Sequence, residues 1–209
     1  MQIIDFLQFE KKAWKSGYLR VAGIDEVGRG SLAGPVVAAA VVFNKKFIEK
    51  NIHKIFIELT DSKKLSEKKR NKFYEILVNN EAVEISLGIV EAKEIDKSNI
   101  QIATHKAMIN ASKKITKDFI LVDGLPVRGF DCNSTNIIKG DFLSISISAA
   151  SVIAKVTRDR IMTEMNKSYP NYQFNKNKGY GTADHLRALK TYGISKIHRK
   201  TFKPVKDLI

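Results

Sequence analysis

A chain of 209 residues with 36 lysines and arginines against 22 acids carries a formal charge of +14. The length suits one domain with a buried core, and 44% hydrophobic with 28% charged residues excludes wholesale disorder, which arises when apolar groups are too few to offset chain entropy. A single cysteine, Cys132, excludes a disulfide framework. The longest apolar run, Pro35 to Phe43, is far short of the ~20 residues of a membrane-spanning helix, so no membrane partner is expected. The N-terminus lacks a basic start followed by an apolar core, so a cytoplasmic location is expected. His53, His105, His185 and His198 are far apart, without the paired spacing of a zinc site. The charge makes a polyanion the default partner, with plain solubility as the bland alternative.

In chain order, a short helix is expected over Phe6 to Lys15, then an apolar stretch from Tyr18 to Ile24. Val36 to Phe43 is a near-continuous Val/Ala run, the pattern of a strand covered on both faces. Ser66 predicts an N-cap for a helix through Val78, with Phe73, Ile76 and Leu77 on one side. Val83 to Val90 reads as a strand, and Ile100, Ala103, Ala107, Met108, Ala111 and Ile115 recur at helical spacing. Phe119 to Val122 and Asn136 to Ile138 read as short strands, and Ala149, Val152, Ile153 and Val156 open a long helix. Strands alternating with helices predict a mixed α/β architecture. A core over residues 1–168 is expected, with a helical basic part over 169–209 packed on it as one unit. From Lys176 to Ile209 nine Lys/Arg stand against two acids, interleaved with Tyr180, Tyr192 and Phe202 and preceded by Tyr172. That mixture suits rings stacking beside phosphate-binding cations; a solvated amphipathic tail is the alternative.

The acids are placed less casually. Asp25 and Glu26 follow Val21-Ala22-Gly23-Ile24, Asp123 follows Phe119-Ile120-Leu121-Val122, and Asp141 follows Ile137-Ile138-Lys139-Gly140. In open α/β sheets, functional groups collect at the carboxyl ends of strands. One acid there is better explained as a cap or a turn. Four together would repel one another unless divalent cations bound them, and oxygen-only donors favour Mg²⁺ or Mn²⁺ over zinc. In a basic chain this points to a two-metal phosphodiester site. Gly28-Arg29-Gly30 offers backbone that can approach a ligand closely and a guanidinium for phosphate, although such a triplet is by itself as well read as a turn. Asp61-Ser62-Lys63-Lys64-Leu65 is equally a phosphate contact or a solvated loop. Asp159, between Arg158 and Arg160 in a helical context, reads as a structural ion pair.

Taken in order, Gly23-Ile24-Asp25-Glu26-Val27-Gly28-Arg29-Gly30, Asp61-Ser62-Lys63-Lys64-Leu65, Leu121-Val122-Asp123-Gly124, Lys139-Gly140-Asp141, Ala149 to Asp159, Lys178-Gly179-Tyr180-Gly181-Thr182 with His185-Leu186, and His198 to Val205 resemble the type 2 ribonucleases H, bacterial ribonuclease HII in particular. The resemblance runs from about Tyr18 to Val205. It departs from the family at Ser31, where proline is usual, at Thr201, where serine is common, and at Gly181, where proline is frequent. Too few residues precede Gly23 for the N-terminal extension of the type 3 enzymes. The resemblance implies a ribonuclease H-like fold, a mixed central sheet flanked by helices, with a helical C-terminal extension gripping the duplex. It implies Asp25, Glu26, Asp123 and Asp141 as catalytic carboxylates holding two Mn²⁺ or Mg²⁺ ions, Asp25 bridging both. Gly28, Arg29 and Gly30 are implied to sense a ribose 2′-OH, the group that distinguishes RNA from DNA. Tyr180 is implied to stack on the neighbouring deoxynucleotide sugar, and Ser62, Lys63 and Ser151 to contact phosphate. The expected activity is endonucleolytic cleavage of RNA in RNA–DNA hybrids and nicking 5′ of ribonucleotides embedded in DNA, leaving 5′-phosphates, by a monomer serving ribonucleotide removal and primer clearance. Two rivals stand beside it: a non-catalytic basic RNA-binding module, which leaves the strand-end acids unexplained, and a resolvase of the same fold, which has no need of Gly-Arg-Gly or Tyr180.

Overall fold

The computed structural model describes residues 5–60 and 65–209, so Ser62 and Lys63 lie outside the described residues. A short helix α1 (Gln8–Lys15) leads into a five-stranded sheet built from β1 (Val21–Val27), β2 (Val36–Phe43), β3 (Val83–Val90), β4 (Phe119–Asp123) and β5 (Asn133–Ile137). The strand order is β3-β2-β1-β4-β5. β1 pairs with β2, and β2 with β3, in antiparallel fashion, whereas β1–β4 and β4–β5 are parallel. The sheet is therefore mixed, as the family resemblance implies. Between and after the strands run α2 (Lys45–Asn51), α3 (Glu67–Val78), α4 (Ala92–Lys97), α5 (Ile100–Ser112), α6 (Ile145–Ser168), α7 (Phe174–Asn177) and α8 (Ala183–Tyr192). No described helix is long and apolar enough to cross a membrane.

The continuous apolar run of β2 has a physical reason. Ala39, Val41 and Phe43 pack against α3 and α6, while Val36, Ala38, Ala40 and Val42 pack against α4 and α5 on the opposite face. Every residue of β2 is buried, because helices cover both sides of the sheet. Ser66 caps α3, its hydroxyl accepting from the Lys69 N–H, and Phe73 and Leu77 are its buried face.

The central helix α6 begins at Ile145, four residues before the apolar pattern announces it. Its first turn is a run of serines: Ser144 accepts from the Ile147 N–H as N-cap, and the Ser144 and Ser146 hydroxyls each donate to the buried Glu10 carboxylate at 2.6 Å. The Ser146 N–H donates to the same oxygen, so α1 supplies an anion to the positive end of α6. Burial pushes the Glu10 carboxyl above its usual range. Gly23 lets this helix lie directly on β1, since a Cβ there would stand 2.1 Å from the Ser146 backbone carbon. A third apolar cluster joins Leu32, Ala33 and Met162 to Tyr172, Phe174, Ala188, Leu189 and Val205. Tyr172, one of the rings expected to face a ligand, is thus a core residue, stacked on Phe174 at 5.4 Å.

Candidate active site

Parallel pairing aligns Ile24 with Val122, so the next residues along the two strands, Asp25 and Asp123, emerge at the same sheet edge. Asp25 is 4% exposed; its Oδ1 accepts from the Glu26 N–H at 2.8 Å, and the Ser151 hydroxyl of α6 hydrogen-bonds its carboxyl. Burial, then the negative charges of Glu26 and Asp123, hold the Asp25 carboxyl well above the usual carboxylate range against those two hydrogen bonds. Glu26 is also pushed up by burial, offset by Arg29, whose Nη1 stands 3.3 Å from Oε1. Asp123 accepts the Gly140 N–H at 2.7 Å, pinning the end of β4 to the turn that carries Asp141.

Asp141 itself is 1% exposed and sits in a 3₁₀ turn, Gly140–Phe142, three residues beyond the end of β5. It is a turn residue, not a strand-end one, and its neighbour's backbone ties that turn to Asp123. The structure thus gathers Asp25, Glu26, Asp123 and Ser151 into one electrostatic unit and ties the Asp141 turn to it. Among the described residues, no three His, Cys, Asp or Glu side chains are drawn in tightly enough to form a closed metal cage. Asp159 lies apart, its carboxylate 2.9 Å from Lys155 one helical turn earlier, so it is an ion-pair residue, although its partner is not the adjacent arginine.

A cleft of about 250 Å³ opens over this edge, lined by Asp25, Glu26, Val27, Arg70, Ser151, Lys155 and Tyr180. Arg70 and Lys155 were not singled out by sequence reasoning; their only signal is a cation on the exposed side of a helix that reaches the sheet edge. Tyr180 is half-buried beneath the cleft mouth, with the Arg158 guanidinium 5.4 Å and the Lys155 ammonium 5.9 Å from its ring centre. Across Glu26 a smaller hollow is walled by Arg29, Gln101, His105, Asp123 and Leu125. Gly28 adopts φ +93°, a left-handed conformation, while Arg29 and Gly30 are exposed.

The segment bearing Tyr180 is anchored by two histidines that the sequence holds far apart. His185 Nδ1 lies 2.9 Å from the Tyr180 carbonyl oxygen, and His185 Nε2 lies 2.9 Å from His198 Nε2. The Ser195 N–H donates to His198 Nδ1 at 2.9 Å, so that nitrogen is bare. Neutral His198 therefore donates from Nε2 to His185 Nε2, and His185 donates from Nδ1 to the carbonyl of Tyr180. Neither ring takes up another proton without breaking a link. Burial and the neighbouring ring accordingly push His198 down to about 4, and burial lowers His185.

A mixed sheet of this order, with acids at the ends of its adjacent parallel strands, defines the ribonuclease H class of fold. The chain belongs to the ribonuclease HII family: the family model described as Ribonuclease HII matches residues 22–205. Ribonuclease HII of Bacillus pumilus (strain SAFR-032) is 48% identical over 207 residues, covering 98% of this chain and 78% of that protein. The crystal structure of ribonuclease H2 from Pyrococcus horikoshii OT3 superposes with a TM-score of 0.75 at 27% identity, over 90% of this chain and 96% of that one. A structure of Bst-RNase HIII in complex with Mn²⁺ shares the fold, with a TM-score of 0.66 at 16% identity, covering 91% and 69% of the two chains. The protein is accordingly a ribonuclease H, a hydrolase acting on RNA–DNA hybrids.

Proposed function

We propose that this enzyme cuts endonucleolytically within hybrids and 5′ of ribonucleotides embedded in duplex DNA, with Asp25, Glu26, Asp123 and Asp141 binding divalent cations. The observation that carries the reading is Asp25: a carboxylate 4% exposed, destabilised by burial and two acidic neighbours, and without an ion pair to any described Lys or Arg. Hard oxygen donors in that state fit Mg²⁺ or Mn²⁺. What such ions supply is activation of a water and neutralisation of charge on the leaving oxygen, giving a 5′-phosphate and a 3′-hydroxyl.

The remaining work belongs to the chain. Arg29 and Gly30 present exposed backbone against the ribose, beside the buried Gly28 that sets their turn, and the 2′-OH there is both donor and acceptor. Tyr180 offers a ring face to the adjoining sugar. Ser151 orients the Asp25 carboxyl and, with Lys155 and Arg70 on the cleft wall, faces the phosphate. Ser62 and Lys63 are assigned to the same phosphate contacts on the family resemblance alone. Residues 169–209 form the basic part that grips the duplex, the enzyme works as a monomer in the cytoplasm, and its tasks are ribonucleotide removal and primer clearance.

The test is cleavage of a labelled duplex with one embedded ribonucleotide, in Mg²⁺, Mn²⁺ or chelator. Asp25→Asn is expected to lower cleavage by a factor on the order of 10³ or more while retaining binding. Undiminished cleavage by that variant, or by the native enzyme in chelator, overturns the carboxylate assignment.

A further inference from the structure

Two arginines are completely buried: Arg158 in α6 and Arg199 after α8 are each 0% exposed. Among the described residues neither is ion-paired with a carboxylate; Asp159 and Asp96 act on them only at a distance. Their donors go to backbone carbonyls instead. Arg158 donates from Nε to Pro35 at 2.8 Å, from Nη2 to Ala33 at 3.1 Å and from Nη1 to Lys178 at 2.9 Å. Arg199 donates from Nε and Nη2 to Gly34 at 3.1 and 2.9 Å, from Nη2 to Gly28 at 2.6 Å and from Nη1 to Arg29 at 2.8 Å.

These acceptors are the inner edge of one loop, residues 28–35, together with the turn that leads into Tyr180. In a trans peptide the C=O and the following N–H point in opposite directions. Drawing the Gly28 and Arg29 carbonyls inward therefore turns the Arg29 and Gly30 N–H groups outward, and neither has an acceptor among the described residues. The same guanidinium that holds Lys178 lies 5.4 Å from the Tyr180 ring. The Leu32 N–H donates to Gly179 at 2.8 Å and the Arg199 N–H to Leu32 at 2.8 Å, closing the loop, the Tyr180 turn and the Arg199 segment on one another. Gly28 is part of the device, because a Cβ there would fall 2.2 Å from Arg158 Nε.

We propose that Arg158 and Arg199 are positioning residues for ribonucleotide discrimination: two buried guanidinium groups that aim the Arg29 and Gly30 N–H groups outward and fix Tyr180 to the same frame, so that loop and ring meet the nucleotide as one rigid unit. The unpaired positive charge beneath the loop also favours the polyanion laid over it. This rests on the reading that the 28–30 backbone and Tyr180 contact the ribonucleotide.

The experiment compares kcat/KM on a duplex with one embedded ribonucleotide and on a uniform RNA–DNA hybrid for Arg199→Lys, Arg158→Lys and Tyr180→Ala, with Tm for each. Lysine keeps the charge but cannot hold several carbonyls in a fixed fork. Each lysine variant is expected to lose about tenfold more on the single-ribonucleotide duplex than on the hybrid. Equal loss on both substrates, or a fall in Tm with no change in the ratio, reduces these arginines to scaffold and overturns the proposal. Should one variant not fold, the other decides. If Tyr180→Ala leaves the ratio untouched while a lysine variant changes it, the reading of Tyr180 fails and the positioning of the 28–30 backbone stands; if none changes it, positioning fails.

Discussion

The sheet edge and the loop beside it carry buried charge of opposite sign, and they tolerate it in different ways. At the edge, Asp25 and Glu26 have hydrogen bonds, yet their carboxyls are pushed upward because like charges crowd a desolvated site. Beneath the loop, Arg158 and Arg199 are equally desolvated, and burial lowers both, Arg199 to about 9. Their fork of donors, however, is absorbed by six backbone carbonyls, those of Gly28, Arg29, Ala33, Gly34, Pro35 and Lys178. Hydrogen-bond saturation and charge neutralisation are separate requirements, and this chain meets the first with arginine while leaving the second open at the carboxylates. A strained acidic cluster can yield its strain to a bound cation; a saturated basic one is part of the frame.

That contrast is open to direct attack. The largest effect is expected at the frame: Arg158→Met orphans three buried carbonyls and should cost on the order of 3 kcal/mol or more, read as a lower denaturant midpoint. Asp25→Asn should do the reverse in chelator, raising Tm, because it removes one of the crowded negative charges. A fall in Tm there, or an unchanged midpoint for Arg158→Met, would erase the distinction between the regions. Tyr180→Ala, which touches the frame only through its ring, should reduce single-ribonucleotide cleavage by about tenfold with little change in Tm. The smallest effect concerns acid. His185 and His198 are buried neutral with lowered affinity for protons, so the unfolded chain binds more protons below its ordinary value near 6.5. Their contribution is complete above that pH and is lost as pH falls toward about 4, which a Tm series from pH 7.5 to 4 checks; His198→Asn should flatten it.

How much of this was legible in the sequence varies with physical cause. β2 was readable to the residue because burial on both faces leaves an uninterrupted apolar run, and β3 likewise kept its bounds. The apolar pattern of α6 begins four residues after the helix does because its first turn is polar, its serines serving Glu10 and the helix cap. The short helices α2 and α4 leave no periodic signal, being held by packing and, in α2, by an Asn44 cap. Asp25 and Asp123 are visible as acids closing apolar strands, whereas Asp141 lies in a turn tied to Asp123 through the Gly140 backbone. The histidine pair could not be seen, since thirteen residues separate its members and only the fold of α8 unites them. Arg158 is hidden for another reason: beside Asp159 and close to Arg160 on a helix it looks like a surface cation, and only packing shows that it points inward.

One consequence follows from where β1 stops. The strand ends at Val27, and the loop begins at Gly28, already seized by Arg199. No flexible joint intervenes between Glu26 and the first pinned carbonyl. The stretch from Asp25 to Val27 behaves as a stiff ruler of ~3.3 Å per extended residue, and the pinned, left-handed Gly28 at its end sets where the outward amides stand relative to the carboxylates. A residue inserted after Glu26 would change that spacing by one division and turn the following side chains to the other face.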